Sequence, residues 1–303
     1  MREVIPRRSL RLVHSERFDR CVKDVTASDT ACMPRIAVPA LVTRLADAAR
    51  RAPLVVGHRG SSATHPENTL VAFRRAIQEG AQLMEFDVHA TRDGHLVVIH
   101  DETLDRTTDA RTVLGKQDVA VKQTDLAVLR ELDAGGWKAR RFRGARVPTL
   151  TQALALLAGR TVPMIEHKGG AARLYLRTLA ATASTERVIL QSFDWNFVAR
   201  VRDLAPEVAL GALGEGELST ARLRAARNAG AHFVHWDVDA LRAEDVERIH
   251  ALGMLVCVYT ANSDSSLCGA ARLGVDAITT NVPARLTLLE QRGIALRTKI
   301  TRR

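Results

Sequence analysis

The stretch that decides the fold runs from Leu54 to Asp101, and three of its pieces carry the reading: Leu54-Val55-Val56-Gly57-His58-Arg59-Gly60, Leu83-Met84-Glu85-Phe86-Asp87-Val88 and Leu96-Val97-Val98-Ile99-His100-Asp101. The first is an apolar run that ends in a polar, glycine-flanked turn. Pro66-Glu67-Asn68-Thr69 then opens a helix in which Leu70, Phe73 and Ile77 recur at helical spacing. The second piece alternates with a period of two, so Glu85 and Asp87 share one strand face while Met84, Phe86 and Val88 share the other. An Asp93-Gly94 turn leads to the third piece, a strand that ends at His100-Asp101.

Two carboxylates on one face repel each other unless a cation lies between them, and hard oxygen ligands suit Mg²⁺ or Ca²⁺. The strand before this acidic one ends in a histidine, His58, and so does the strand after it, His100. Imidazoles titrate near neutrality, which is what a proton donor and a proton acceptor require. The residues alone therefore point to metal-assisted acid/base chemistry. Arg59 adds a guanidinium fork suited to a phosphate oxygen.

His58-Arg59-Gly60, Pro66-Glu67-Asn68-Thr69, Glu85-x-Asp87, His100-Asp101 and Leu104-x-Arg106-Thr107-Thr108 follow one another in that order. Together they resemble the signature of the glycerophosphodiester phosphodiesterase family, and the resemblance runs from Leu54 to about Pro283. It implies a (β/α)8 TIM-type barrel with a small insertion after the second strand region, beside the active-site mouth. It implies one divalent cation, Mg²⁺ or Ca²⁺, and hydrolysis of a small glycerophosphodiester to glycerol 3-phosphate and an alcohol such as choline, ethanolamine, glycerol or inositol. In the family mechanism the glycerol hydroxyl next to the ester attacks phosphorus, and water then opens the cyclic phosphate.

The resemblance assigns roles as well. It makes His58 and His100 the catalytic pair and adds Glu166 to Glu85 and Asp87 as third metal ligand. Lys168 becomes a cation on the phosphate side. Tyr259 stands where family members commonly carry a Trp that packs against the glycerol, and Asn281 where they commonly carry Asp. The first departure bears on alcohol preference; the second is expected to lie outside the metal set. Glu67 and Asn68 read either as contacts to a substrate hydroxyl or to the ligands, or as caps of the helix they precede. His167 alternates to the opposite strand face and reads as structural. No functional role is assigned to His14, His65, His89, His95, His232, His235 or His250. Two rivals share these residues: a lysophospholipase D or sphingomyelinase D-like activity that ends at the cyclic product, and a non-catalytic barrel that binds phosphodiesters.

Outward from this stretch, residues 102–147 carry turn signals and little apolar periodicity, with Trp137 and Phe142 expected as anchors of the insertion. The strand–helix rhythm then resumes at Thr149-Leu150 and continues to residues 276–280, giving about eight units counted from Leu54. A chain of 303 residues is long enough for one such barrel. No Gly-rich dinucleotide loop or Walker-type loop competes with that reading.

The net charge of +10 would suit nucleic acid or an acidic membrane, but residues 1–51 hold +5 of it, residues 290–303 hold +4, and the body keeps +1. With no ladder of aromatic and basic residues, nucleic acid is not an expected partner. No run of apolar residues is long enough to span a bilayer, and the start lacks a signal-peptide core, so the expected location is cytoplasmic without membrane insertion. Cys21, Cys32, Cys257 and Cys268 form no paired motif, and Cys257 reads as a small core residue. The domain reading is an N-terminal extension over 1–50, unstructured over 1–33 and ending in a lead-in helix over 37–50. The barrel follows over 51–290, and a basic tail over 291–303. Met33 is an alternative start, because the barrel requires nothing before it.

Overall fold

The computed structural model describes residues 37–292. The expectations for the first 36 residues, the start at Met33 and most of the basic tail fall outside them. The lead-in helix spans Ala40–Ala48 (α1). Eight parallel strands follow in register: β1 (Leu54–His58), β2 (Leu83–Ala90), β4 (Val162–His167), β5 (Ile189–Ser192), β6 (Ala209–Gly214), β7 (Phe233–Asp237), β8 (Leu255–Tyr259) and β9 (Ala277–Thr280). Each pairs with the next, and β1 pairs with both β2 and β9, which closes the sheet into a barrel.

The ninth strand, β3 (Leu96–Val98), departs from the expected rhythm. It runs antiparallel to β2, with Val88 opposite Val98 and Ala90 opposite Leu96. His100 therefore does not end a barrel strand. The Asp93-Gly94 turn folds the chain back, and Ile99 donates its N–H to the Asp87 carbonyl, so the hairpin returns His100 to the level of the β2 acids. A short loop can reverse direction in this way, whereas a parallel crossover needs a dozen or more residues and usually a helix.

Helices α2 (Leu70–Gln78), α5 (Leu150–Leu157), α6 (Ala172–Ala181), α7 (Trp195–Leu204), α8 (Thr220–Asn228), α9 (Ala243–Ala251), α10 (Asp264–Arg272) and α11 (Pro283–Gln291) surround the barrel; α3 (Ala110–Leu114) and α4 (Leu126–Glu131) belong to the insertion. Strands buried on both faces read as near-continuous apolar runs, and here the two faces serve different cores. Met84, Phe86 and Val88 pack outward with Phe73 of α2, Leu154 of α5 and Tyr175 of α6. Leu83, Met164, Ile189, Phe233, Leu255 and Cys257 pack together in the barrel floor, where Leu41, Val42 and Leu45 of α1 join them.

The insertion holds together differently from the expectation. Trp137 is 38% exposed and is no anchor. Leu104, Val121, Leu126, Leu129 and Leu132 form the insertion's own small core against Val97 and Ile99. Burial of aliphatic side chains from α4 and the turns and loop before and after it does what the two aromatics were expected to do.

Candidate active site at the barrel mouth

The period-two alternation of each strand sets the inward residues. On β2 the inward series runs Leu83, Glu85, Asp87; on β4 it runs Met164, Glu166; on β5 Ile189, Gln191; on β7 Phe233, His235. Every series is apolar at the floor and polar toward the strand C-terminal ends. Barrel sites assemble at that end. Register then brings the acids together, because Asp87 lies opposite Glu166 and His58 opposite Glu85.

Glu85, Asp87 and Glu166 are all buried, and one oxygen of each lies within 4.8 Å of the others. Glu85 Oε2 accepts from the Arg59 backbone N–H at 3.1 Å, and Asp87 Oδ2 accepts from Asn68 Nδ2 at 2.8 Å. The remaining oxygens, Glu85 Oε1 and Asp87 Oδ1, accept no hydrogen bond among the described residues. Lys168 Nζ stands 2.6 Å from Glu166 Oε1 and 3.5 Å from Asp87 Oδ1. Burial, the Asp87 charge and the Glu166 charge push the Glu85 carboxyl well up. Glu166 is pushed up to about 7 by burial and then by Asp87, against the pull of Lys168. Burial would raise Asp87 too, but Arg59, Lys168, His100 and Asn68 outweigh it and hold that carboxyl low. Three crowded acids with orphaned, mutually facing oxygens are a donor set that fits a hard divalent cation.

The histidines flank this triangle. His58 Nδ1 lies 2.6 Å from Asn281 Oδ1, and His58 Nε2 lies 3.9 Å from Glu85 Oε2. An amide oxygen only accepts, so Nδ1 carries the hydrogen and the Nε2 lone pair faces the site. Burial and the Arg59 charge hold the His58 imidazole down at about 4, against the bond to Asn281 and the charges of Asp87 and Glu67. His100 Nδ1 donates to Asp101 Oδ1 at 2.7 Å, and its Nε2 makes no hydrogen bond among the described residues. The His100 carbonyl accepts from His89 Nε2 at 3.0 Å.

Arg59 sits in a left-handed backbone conformation with φ 55°, and so does Asn68 with φ 57°. Their backbones join through an Asn68 N–H to Arg59 carbonyl bond of 3.0 Å. Side chains tolerate that region poorly, and such residues cluster at sites. Here it turns Arg59 Nε to 3.2 Å from Asp87 Oδ2 and Nη1 to 2.9 Å from Glu67 Oε1. Gly60 makes the turn compact: at φ 90° a Cβ there would meet the Ala72 Cβ at 2.6 Å.

Glu67 and Asn68 do not cap α2. Thr69 does, accepting from the Ala72 N–H, while Glu67 grips arginines and Asn68 clasps Asp87. Tyr259 stands at the end of β8, its ring centroid 6.4 Å from that of half-exposed Phe193 and its hydroxyl donating to the Gly214 carbonyl at 2.9 Å. His167 faces outward, stacked on Phe197 at 3.7 Å. His235 is buried beneath the site between Gln191 and Thr279. Sequence reasoning missed two contacts. Asn281, expected to lie outside the metal set, does so but holds His58; Arg106, a motif residue with no expected role, bonds both Glu67 and Asp101. The local signal for either was its place in a motif: Asn281 and His58 stand 223 residues apart and Arg106 and Glu67 39 apart, although Asp101 is only 5 residues from Arg106.

Comparison with known proteins bears on these residues. Residues 58–285 match the model of the glycerophosphoryl diester phosphodiesterase family. A glycerophosphodiester phosphodiesterase of Caldanaerobacter subterraneus is 34% identical over 248 residues, covering 79% of this chain and 98% of that one. Among solved structures, a phosphodiesterase of Oleispira antarctica in complex with the product sn-glycerol-3-phosphate superimposes with a TM-score of 0.73 at 27% identity, over 79% of this chain and 97% of that one. A glycerophosphodiester phosphodiesterase of Agrobacterium tumefaciens gives 0.67 at 29% identity, over 78% and 99%.

Proposed function

The chain belongs to the glycerophosphoryl diester phosphodiesterase family, and from that membership we propose that it hydrolyses glycerophosphodiesters to glycerol 3-phosphate and an alcohol with the help of one divalent cation, Mg²⁺ or Ca²⁺. The observation that carries the reading is the buried triangle of Glu85, Asp87 and Glu166 between two imidazoles whose Nε2 atoms are free. Those three acids would hold the ion, which when bound polarises a phosphoryl oxygen and offsets its charge.

The chain's own residues divide the remaining work. Arg59 presents a partly exposed guanidinium beside the acids, where its remaining N–H groups can donate to a phosphate oxygen. His58 is neutral at physiological pH and takes the proton from the attacking oxygen at Nε2. His100, in the doubly protonated form that keeps its Nδ1–H on Asp101, hands a proton to the departing alkoxide from Nε2. Lys168 lies on the Glu166 side and pairs with the phosphate once the acids are occupied. Tyr259 and Phe193 offer an aromatic rim to the carbon skeleton of the glycerol or the alcohol. Two imidazoles that exchange roles can first close and then open a cyclic phosphate.

The test is direct. Purified protein is given glycerophosphocholine, -ethanolamine, -glycerol and -inositol, with and without a chelator, and released glycerol 3-phosphate is measured. Release from at least one substrate that the chelator stops is the expected result. Cyclic glycerophosphate as the final product would favour the lyase-like activity on lipid headgroups. No turnover of any substrate at saturating metal would leave a binding barrel.

A further inference from the structure

Leu104-x-Arg106-Thr107-Thr108 is one of the motifs that mark the family, and its Arg106 stands outside both the acid triangle and the imidazole pair. Arg106 lies in the insertion, half-exposed, beyond the hairpin that returns His100. Its Nε donates to Asp101 Oδ2 at 2.6 Å and its Nη2 to Asp101 Oδ1 at 2.8 Å. On the other side, Nη1 donates to Glu67 Oε2 at 2.9 Å and Nη2 to Glu67 Oε1 at 2.8 Å. One planar guanidinium is thus held by two carboxylates, bidentate to each.

Both carboxylates lead onward into the site. Asp101 Oδ1 accepts from His100 Nδ1 at 2.7 Å. Glu67 Oε1 accepts from Arg59 Nη1 at 2.9 Å, and Arg59 Nε stands 3.2 Å from Asp87 Oδ2. An unbroken path of charged contacts therefore runs from His100 through Asp101, Arg106, Glu67 and Arg59 to Asp87. Bidentate pairs joined in a network can add to stability, and Glu67 is only 13% exposed, but holding the insertion in place is only one reason for so complete a set of bonds. Geometry is a better one. The fork fixes angle as well as distance, which a point charge such as a lysine ammonium cannot do.

We propose that Arg106 is a positioning residue whose guanidinium sets the separation of His100 from Arg59, and so of the proton-carrying imidazole from the phosphate-holding cation. The proposal rests on the phosphodiesterase reading for its catalytic arm but has a second arm that does not. If Arg106 orients the path, its loss frees Asp101 to rotate and leaves His100 without a fixed acceptor. The imidazole then drifts from its hold, and misplacement by about 1 Å can cost roughly 10²-fold in rate.

The experiment compares wild type with Arg106→Ala, Arg106→Lys, His100→Ala and the double variant His100→Ala/Arg106→Ala, on glycerophosphocholine at saturating Mg²⁺. Arg106→Ala should lower kcat about 10²-fold with KM changed only a few-fold. Arg106→Lys should recover little of it, although it keeps the charge and the thermal midpoint. In the His100→Ala background the Arg106→Ala step should cost much less than in wild type, because the two act through one path. Independently of turnover, ¹⁵N NMR of the neutral His100 ring, recorded at alkaline pH, should show the Nδ1–H tautomer in wild type and a mixture of tautomers in both Arg106 variants. A wild-type kcat in Arg106→Lys, or an unchanged tautomer, overturns the positioning role. An equal, full loss in both backgrounds overturns it as well, since that is what a purely structural role produces. If His100→Ala retains wild-type turnover, the assignment of His100 in the reaction falls instead, and the NMR arm alone decides for Arg106. Should Arg106→Ala unfold at the assay temperature, the lysine variant carries both arms.

Discussion

Asn281, the residue after β9, reaches across the barrel seam to His58 at the end of β1, and its Oδ1 lies 2.6 Å from the imidazole Nδ1. Ser62 Oγ donates to the same amide oxygen at 2.9 Å. The acceptor is neutral, so it fixes the tautomer without adding a charge to favour the imidazolium. Where the resemblance to the family implies a carboxylate, this chain has an amide, and the difference falls on a candidate catalytic base.

The first prediction follows from that contact. Asn281→Asp keeps the acceptor and adds a charge next to His58, so the imidazole should become easier to protonate. If neutral His58 is the base, the acidic limb of kcat/KM moves to higher pH, by about one to three units, with turnover near neutrality retained. Asn281→Ala removes the acceptor and should lower kcat at all pH values. A pH–rate series on the three proteins would decide, and an unmoved limb in Asn281→Asp would show that the limb belongs to another group.

The acid triangle makes a prediction that needs no turnover. Glu85→Gln removes a buried carboxyl that has no hydrogen bond at Oε1 and stands among other acids. In chelator this variant should melt at or above the wild-type temperature, yet Mg²⁺ or Ca²⁺ should raise its melting point far less than that of wild type. Asp87→Asn should behave likewise toward the ion. Loss of charge stabilisation worth several kcal/mol corresponds to at least about 10³-fold in rate. A normal thermal shift by metal in either variant would remove that residue from the ligand set.

Metal affinity should depend on pH in a stated direction. Without an ion, Glu166 is pushed up to about 7, so below that pH it holds a proton that the cation must displace. Affinity for Mg²⁺ should therefore weaken by up to about tenfold per pH unit as pH falls below 7, with proton release on binding. Calorimetry in two buffers of different ionisation heat measures both. The same carboxyl bears on stability. Its folded value lies above the ordinary 4.5, so it favours the fold at low pH and that contribution is lost as pH rises through about 7. Ion-free protein should lose this increment between about pH 5 and pH 8, and metal-loaded protein should not.

Substrate preference tests the cyclic route. A positioned neighbouring hydroxyl replaces a bimolecular encounter, an advantage that can reach several orders of magnitude. Glycerophosphodiesters with a free adjacent hydroxyl should be turned over far faster than aryl phosphodiesters that lack one, and rapid-quench ³¹P NMR should catch a transient cyclic phosphate. Equal turnover of both classes would point to direct attack by water.

Gly60 offers a structural check on the turn that carries Arg59. Its φ of 90° and the 2.6 Å approach of any Cβ to Ala72 combine left-handed strain with overpacking against α2. Gly60→Ala should cost about 2–5 kcal/mol in urea unfolding. A loss below about 1 kcal/mol would mean that the turn relaxes freely.

Much of the site was legible in the chain before it was folded. A period-two pattern dictates that Glu85 and Asp87 share a face with Leu83, and repetition of strand and helix dictates a barrel whose polar ends gather at one rim. Those rules act over a few residues, so local pattern is enough to state them. Other features were decided by tertiary structure alone. Register across β2 and β4 put Glu166 opposite Asp87; closure of β1 on β9 put Asn281 against His58; the antiparallel return of β3 lowered His100 into the mouth; and the insertion's small aliphatic core carried Arg106 between Glu67 and Asp101. Each of these depends on segments that only the folded barrel and its rim bring together. Such contacts are set by how strands stagger around a closed ring and how loops pack on its rim, and no local period in the sequence encodes either.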